Sequence, residues 1–317
     1  QPCRSILPVV AAALLFFGPL LFPVAEVYLL VFGMACFYAA LAMAWNILAL
    51  SGLYSLGHGA FFGLGAYSAI IFQQQLAFPV YAAVLAGGLV GALYGLLWGV
   101  VLKNLRGAYF ALATLAALEI PRVVADNWES LTSGSMGIVG ISRLPALELG
   151  LISLPVGESM RGQYYFLLGW MVLTAVVHRQ ALKSRWGWAL QAIRDNEVAA
   201  EVLGVNVYGC RLLALGVSAL LTGIAGGLYG HLMGLIEPAM VFSLQMAAYP
   251  LVLSFFGGRF QVLGPMVGAL VLYPLDQLVL QPWLPQGHAA VYGLVIIFTI
   301  FFFPRGITAW LQQRHTS

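Results

Sequence analysis

Charge is scarce in this chain. Of its 317 residues only 8% are Asp, Glu, Lys or Arg, while 62% are hydrophobic; a soluble domain carries roughly 25% charged residues. So little polar surface cannot cover a globule in water, which excludes an ordinary soluble domain and makes lipid the solvent. Short alternating strands are also missing, which excludes an outer-membrane barrel. The apolar runs are long and apolar on all sides, and a helix needs about 20 such residues to cross the hydrocarbon core. The three cysteines, Cys3, Cys36 and Cys210, show no metal-like spacing and read as apolar filler or membrane-end residues. No G-x-x-x-x-G-K-[ST] occurs, so the chain should not bind and hydrolyse ATP itself. No H-E-x-x-H occurs either, and the five histidines are far apart in sequence, so no metal site is expected. The formal net charge of +3 comes from the loops and does not imply nucleic acid.

What is present predicts an all-α integral membrane protein, a single transmembrane domain over residues 1–317. Ten spans are expected, at roughly 6–24, 27–50, 57–76, 80–102, 107–125, 163–178, 210–235, 240–257, 263–281 and 289–304. The first is read as a retained span, its run being long for the apolar part of a signal peptide. Cytoplasmic loops of membrane proteins carry an excess of Lys and Arg. With both termini inside, Arg4, Lys103, Arg106, Arg179, Lys183, Arg185, Arg194, Arg211, Arg259, Arg305 and Arg314 fall on the cytoplasmic side. Arg143 and Arg161 fall outside, with Arg122 near the outer end of its span. A wrong span count would scramble this partition.

Lipid gives helices no hydrophobic drive to associate, so small residues must let backbones approach. Gly87, Gly91, Gly95 and Gly99 repeat every four residues, and Gly226, Gly230 and Gly234 do the same. Both rows are expected to pack helices, within the chain or against a second subunit. Two stretches, Ser51–Ala69 and Ser254–Ala269, are too glycine-rich for simple spans. Broken helices suit them, tolerated where protein or a water-filled cavity satisfies the backbone. The outer loop, 126–162, carries a turn-forming run from Ser130 to Ile141; it could dock a partner or cap the bundle.

Ionisable groups inside spans cost about 2.5–3.5 kcal/mol on insertion scales. Glu119 and Arg122 stand three apart with Pro121 between, so they can neutralise each other or line an outer mouth. His58 lies in the first glycine-rich stretch, where a neutral, hydrogen-bonded histidine is the plain reading. Asn46, Glu237 and Asp276 are further candidates. No chain of buried carboxylates appears, which argues against a proton-coupled secondary transporter. No catalytic constellation surrounds His58 or Glu119, which argues against an intramembrane enzyme. One long polar segment remains, Arg179–Asn206 within a loop at 179–208. Its periodicity is helical, with Ala189, Ala192, Ile193, Ala200 and Leu203 among the apolar members and Gly204 as the stop. A single charged helix between two spans fits a contact with a soluble partner; a surface-lying amphipathic helix is the alternative.

This segment, RWGWALQAIRDNEVAAEVLGVNV, resembles the cytoplasmic loop of ABC-importer permeases of the branched-chain amino acid family, LivH/LivM type. Ala199-Ala200 followed by Gly204 is similar to the family's EAA loop, with Glu197 one place early. Asn46–Ala69, Leu105–Ile141 and Tyr292–Ile307 also resemble the family in order, and Leu105–Ile141 is more similar to the LivM branch than to the LivH branch. Arg259, Phe260 and Gln261 depart from it, since small residues usually follow the Gly257-Gly258 pair. The resemblance implies a second, LivH-like permease subunit, two ATPases that hold ATP and Mg, a periplasmic binding protein, and an inner-membrane location. It implies branched-chain amino acids as solutes or, in relatives, urea, amides and aromatic acids. Coupling residues are then expected at Arg185, Arg194, Asp195, Glu197, Ala199, Ala200 and Gly204. A translocation path is expected along Ser55, His58, Gly59 and Gly63, in the Ser55–Gly65 stretch, with Glu119.

Overall fold

The computed structural model describes residues 25–149 and 152–285, and further positions 287, 291, 293–294, 297–298, 301 and 306–308. In chain order the helices are α1 (Glu26–Ala49), α2 (His58–Gln75), α3 (Val80–Val101), α4 (Gly107–Asn127), the single turn α5 (Glu129–Thr132), α6 (Met160–Lys183), α7 (Arg185–Asp195) and α8 (Glu197–Val202). After them come α9 (Val207–Met233), the single turn α10 (Pro238–Val241), α11 (Leu244–Gly257), α12 (Leu263–Leu275) and the short α13 (Gln281–Trp283). Among the described residues four short strands, β1 (Ile138–Val139), β2 (Leu147–Leu149), β3 (Ile152–Leu154) and β4 (Leu235–Ile236), make two antiparallel ribbons, β1 with β4 and β2 with β3.

Seven stretches among the described residues are long and apolar enough to cross a membrane: α1, α3, α4, α6, α9, Pro238–Gly257 and Leu263–Trp283. Each overlaps an expected span. The expected span at 6–24 and most of that at 289–304 lie outside the described residues. The expected span at 57–76 is the helix α2, which is not among the seven. The reason is local. Gly57 through Gly65 and Gln73–Gln75 lower its hydropathy, and most of the helix is buried by neighbours rather than by lipid, so it does not need a greasy surface.

The core is built around α1. This helix is apolar on every side, and from Gly33 to Ala49 every residue is buried; a helix hydrophobic all round belongs inside. It packs against α6, α9, α11 and α12. On its flank α2, α3 and α9 pack closely together, and the glycine rows explain how. A methyl at Gly87 would meet the Gly65 carbonyl and Ala69, one at Gly91 the carbonyls of Phe61 and Ala219, and one at Gly95 the Ala219 side chain. A methyl at Gly226 would strike the Phe62 carbonyl. Backbone thus lies against backbone within this one chain. The opposite face of α3 carries exposed Leu85, Leu89, Leu93 and Leu97, the apolar outer surface of the bundle. Gly234 has a different task. It ends α9 in a left-handed conformation (φ 75°) with open space around it, the usual use of glycine after a helix C-terminus.

Both glycine-rich stretches interrupt helices. Residues 50–57 between α1 and α2 are non-helical, yet Leu50, Ser51, Leu53 and Ser55 are buried. This segment reaches Thr114, seven residues into α4 and so about 10 Å along its axis. Non-helical backbone at that depth must find partners in protein. Here the Leu56 amide donates to Thr114 Oγ1 (3.0 Å), the Gly57 amide to Ser55 Oγ (3.0 Å), and Trp45 Nε1 to the Ser55 carbonyl (2.8 Å). In the second stretch α11 stops at Gly257 and α12 starts at Leu263, with Gly257, Gly258, Gly264 and Gly268 packed backbone to backbone.

In the expected outer loop at 126–162, α4 runs to Asn127 and α6 starts at Met160, and the described residues between them cap one end of the bundle. Ile141, Leu144 and Val156 are buried, Tyr81 donates to the Pro145 carbonyl (2.7 Å), and His231 Nδ1 lies 2.8 Å from the Ser142 carbonyl. The other end carries α7 and α8 with Lys103, Arg106, Arg211 and Arg259, and is called the basic end below.

Close packing of α2 on α9 yields a direct expectation. Gly226→Val forces side-chain atoms against the Phe62 backbone, and such overpacking costs typically about 1–3 kcal/mol. Its melting temperature in detergent should fall by several degrees, or the chain should fail to accumulate. Gly169→Ala, on α6 in open space, should melt at or slightly above the wild-type temperature.

Candidate functional site

The polar segment folds as two short helices. Ser184 starts α7, its hydroxyl accepting from the Gly187 amide (3.0 Å). Asn196 then takes an extended conformation, and its side chain accepts from the Ala199 amide (3.0 Å), starting α8. Asn at such a position caps a new helix rather than continuing the old one, so the single helix expected from periodicity divides here. Gly204, at φ 84°, closes α8. Asn206 caps α9 through the Gly209 amide (2.8 Å). Leu190, Ile193 and Ala200 are buried, and Trp186 Nε1 donates to the Cys210 carbonyl (3.1 Å), so the unit is docked on the bundle rather than hanging from it.

Its charged residues divide into inward and outward sets. Glu197 turns inward. Its carboxylate accepts two hydrogen bonds from Arg211 (2.9 and 3.0 Å) and pairs with Arg106 (3.1 Å). That tripod ties α8 to the starts of α4 and α9, beside a cavity of about 170 Å³ lined also by Lys103, Phe110, Glu201 and Leu215. Arg194 also turns inward. It pairs with Asp195 (3.0 Å), while its guanidinium carbon lies 4.2 Å from the centre of the Phe260 ring. Arg185, Asp195, Ala199 and Gly204 are exposed. Four large apolar side chains of the unit are also exposed: Trp188 (66%), Val198 (66%), Val202 (82%) and Leu203 (83%).

The residues expected along a path are not grouped in one place. Ser55, His58, Gly59 and Gly63 are buried in protein. His58 Nε2 lies 2.7 Å from Ser218 Oγ, which donates onward to the Ala44 carbonyl (2.7 Å); this joins α2, α9 and α1. A side chain at Gly63 would run into the Phe242 ring, which stacks on Tyr67. Glu119 stands apart on the outward face of α4, paired with Arg122 (3.4 Å), which in turn approaches Asp126 (4.0 Å). Among the described residues no group of His, Cys, Asp and Glu could hold a metal ion.

Apolar helices around a central helix buried from Gly33 to Ala49, with one docked polar unit at one end, are the build of a multi-pass membrane protein. Over residues 27–300 the chain matches the family described as branched-chain amino acid transport system / permease component, and it belongs to that family. It is 28% identical over 292 residues to the high-affinity branched-chain amino acid transport system permease protein LivM of Salmonella typhimurium, covering 86% of this chain and 68% of that one. Against LivH of the same organism it is 23% identical over 285 residues, covering 85% and 90%. The autoinducer 2 import system permease protein LsrC of Klebsiella pneumoniae is 29% identical over 205 residues, covering 61% and 58%. No solved structure matches. The chain is thus a transport permease subunit, not itself an enzyme.

Sequence reasoning did not find the partners of Glu197 and Arg194. Arg106 and Arg211 stood out only as loop charges, and Phe260 only as a departure from the family's small residues. Glu197→Gln leaves Arg211 and Arg106 facing a neutral amide. Losing hydrogen bonds to a charged group costs about 1–3 kcal/mol. Protease cleavage within residues 196–206 of the detergent-solubilised protein should accelerate at least severalfold, while the helical signal of the bundle stays unchanged.

Proposed function

We propose that this chain is the LivM-type permease subunit of an ABC importer of the inner membrane, carrying branched-chain or chemically related amino acids. Its basic end faces the cytoplasm and its ribbon-capped end the outside, with both termini cytoplasmic and ten spans in all. This orientation rests on the excess of Lys and Arg at the end that carries α7 and α8. A LivH-like permease completes the path, a periplasmic binding protein delivers the solute, and two ATPases hold ATP and Mg. The names of the LivM and LivH relatives support the solute class.

One observation carries the coupling assignment. The α7–α8 unit sends Arg194 and Glu197 inward and leaves Trp188, Val198, Val202 and Leu203 exposed at the polar end of the molecule. Apolar side chains exposed together mark a contact surface. In this reading Val198, Ala199, Val202, Leu203 and Gly204 meet the ATPase, with Arg185 and Asp195 at the rim. Arg194, Glu197 and Ala200 hold the unit from behind. The solute path follows the boundary with the second permease, where Glu119 on α4 is exposed. Ser55, His58, Gly59 and Gly63 form the wall behind it.

The test is co-purification from native membranes. Val202→Asp combined with Leu203→Asp should reduce ATPase recovered with the tagged chain by at least tenfold while the second permease is retained. Wild-type recovery of ATPase by this variant would refute the surface. A wild-type chain that purifies alone and transports alone would refute the importer.

A further inference from the structure

Phe260 is held in an unusual way. Its φ is 70°, a left-handed conformation that a bulky residue rarely adopts, and such strain persists only where the surroundings over-determine it. Those surroundings are specific. The Phe260 amide donates to Asn46 Oδ1 (3.2 Å), and Asn46 Nδ2 donates to the Gln261 carbonyl (3.3 Å). Asn46 is fully buried in α1, with His178 of α6 3.5 Å from its amide nitrogen. The backbone at 260–261 is therefore pinned to the central helix by one side chain.

The ring faces the polar unit. Arg194 of α7 lies over it at 4.2 Å, and Arg259 approaches it at 5.1 Å while also lying 4.9 Å from the Phe255 ring and donating to the Tyr54 hydroxyl (3.1 Å). The stem of Arg194 also packs on Gly52, in the buried non-helical segment between α1 and α2. A guanidinium over an aromatic face is attracted to it, more strongly where water is excluded. Arg194 thus joins the polar unit to both interrupted, glycine-rich stretches at once.

We propose that Arg194 on Phe260 is the contact through which movement of α7 and α8 reaches the α11–α12 hairpin. Phe260 is a positioning residue for coupling, and it touches neither ATPase nor solute. The hairpin is suited to receive a displacement. Near its turn, Gly257, Gly264 and Gly268 bring its helices together backbone to backbone, and packed elements transmit strain rather than damping it. The proposal rests on the reading of α7–α8 as the ATPase-contacting unit.

The experiment is reconstitution of the complete importer in proteoliposomes, measuring leucine taken up per ATP hydrolysed. Phe260→Leu keeps apolar bulk and removes the aromatic face; Arg194→Gln removes the cation. Each should lower uptake per ATP by about tenfold. The double variant should be no worse than either single one, because both remove one contact. Phe260→Trp should keep wild-type coupling. Phe260→Gly adopts the left-handed backbone without strain, so it decides the matter should Phe260→Leu fail to assemble; it too should be uncoupled. Wild-type uptake per ATP in Phe260→Gly, or losses that simply multiply in the double variant, would overturn the relay while leaving the ATPase contact standing. A wild-type complex whose ATPase does not respond to binding protein and solute would overturn the ATPase-contact reading, and the relay with it.

Discussion

Backbone polar groups inside a bilayer have no water to turn to, and the architecture follows from that constraint. Helices satisfy themselves, so most of the chain is helix. Where the chain leaves the helix, in residues 50–57, it runs from the basic end inward along α4 to Thr114, with Thr114, Ser55 and Trp45 supplying partners. The glycine rows of α3 and α9 serve the same end. By bringing α2, α3 and α9 into backbone contact, they build the enclosure that makes a non-helical segment tolerable there. Asn46 extends the logic to the second interruption, since one buried amide serves both the amide of Phe260 and the carbonyl of Gln261.

Two structural classes of polar residue result. Ser55, His58, Asn46, Ser218 and Thr114 are buried; His58 and Ser218 link α1, α2 and α9, while Ser55, Thr114 and Asn46 serve non-helical backbone. Arg106, Glu197 and Arg211 sit at the basic end and hold the α7–α8 unit to the bundle. Through Arg106 and Arg211 the unit is tied to the starts of α4 and α9. The coupling role proposed for the unit needs such an attachment.

Much of this was legible in sequence because the bilayer imposes simple rules. Length and hydropathy placed α1, α3, α4, α6 and α9 within a few residues, and small-residue spacing identified Gly87, Gly91 and Gly95 as packing positions. What was not legible depends on long-range neighbours. Periodicity ran α7 and α8 together because it does not register Asn196 turning to cap the next helix. The pairings of Glu197 and Arg194 were not legible because spacing says nothing of Arg211, 14 positions along, or of Phe260, 66 positions along. Gly234 fitted a packing row by number alone, and only its φ of 75° shows that it ends a helix.

The central claim is that α7–α8 meets a soluble ATPase through its apolar outer face while its inner face is locked to the bundle. Photo-crosslinking from position 202 and from position 190 in native membranes tests this most directly. A benzophenone amino acid replacing Val202 should yield an adduct between this chain and an ATPase subunit, whereas one replacing the buried Leu190 should yield only internal adducts. Crosslinks from position 202 to lipid alone, with none to an ATPase, would contradict the account and make α7–α8 a membrane-surface element.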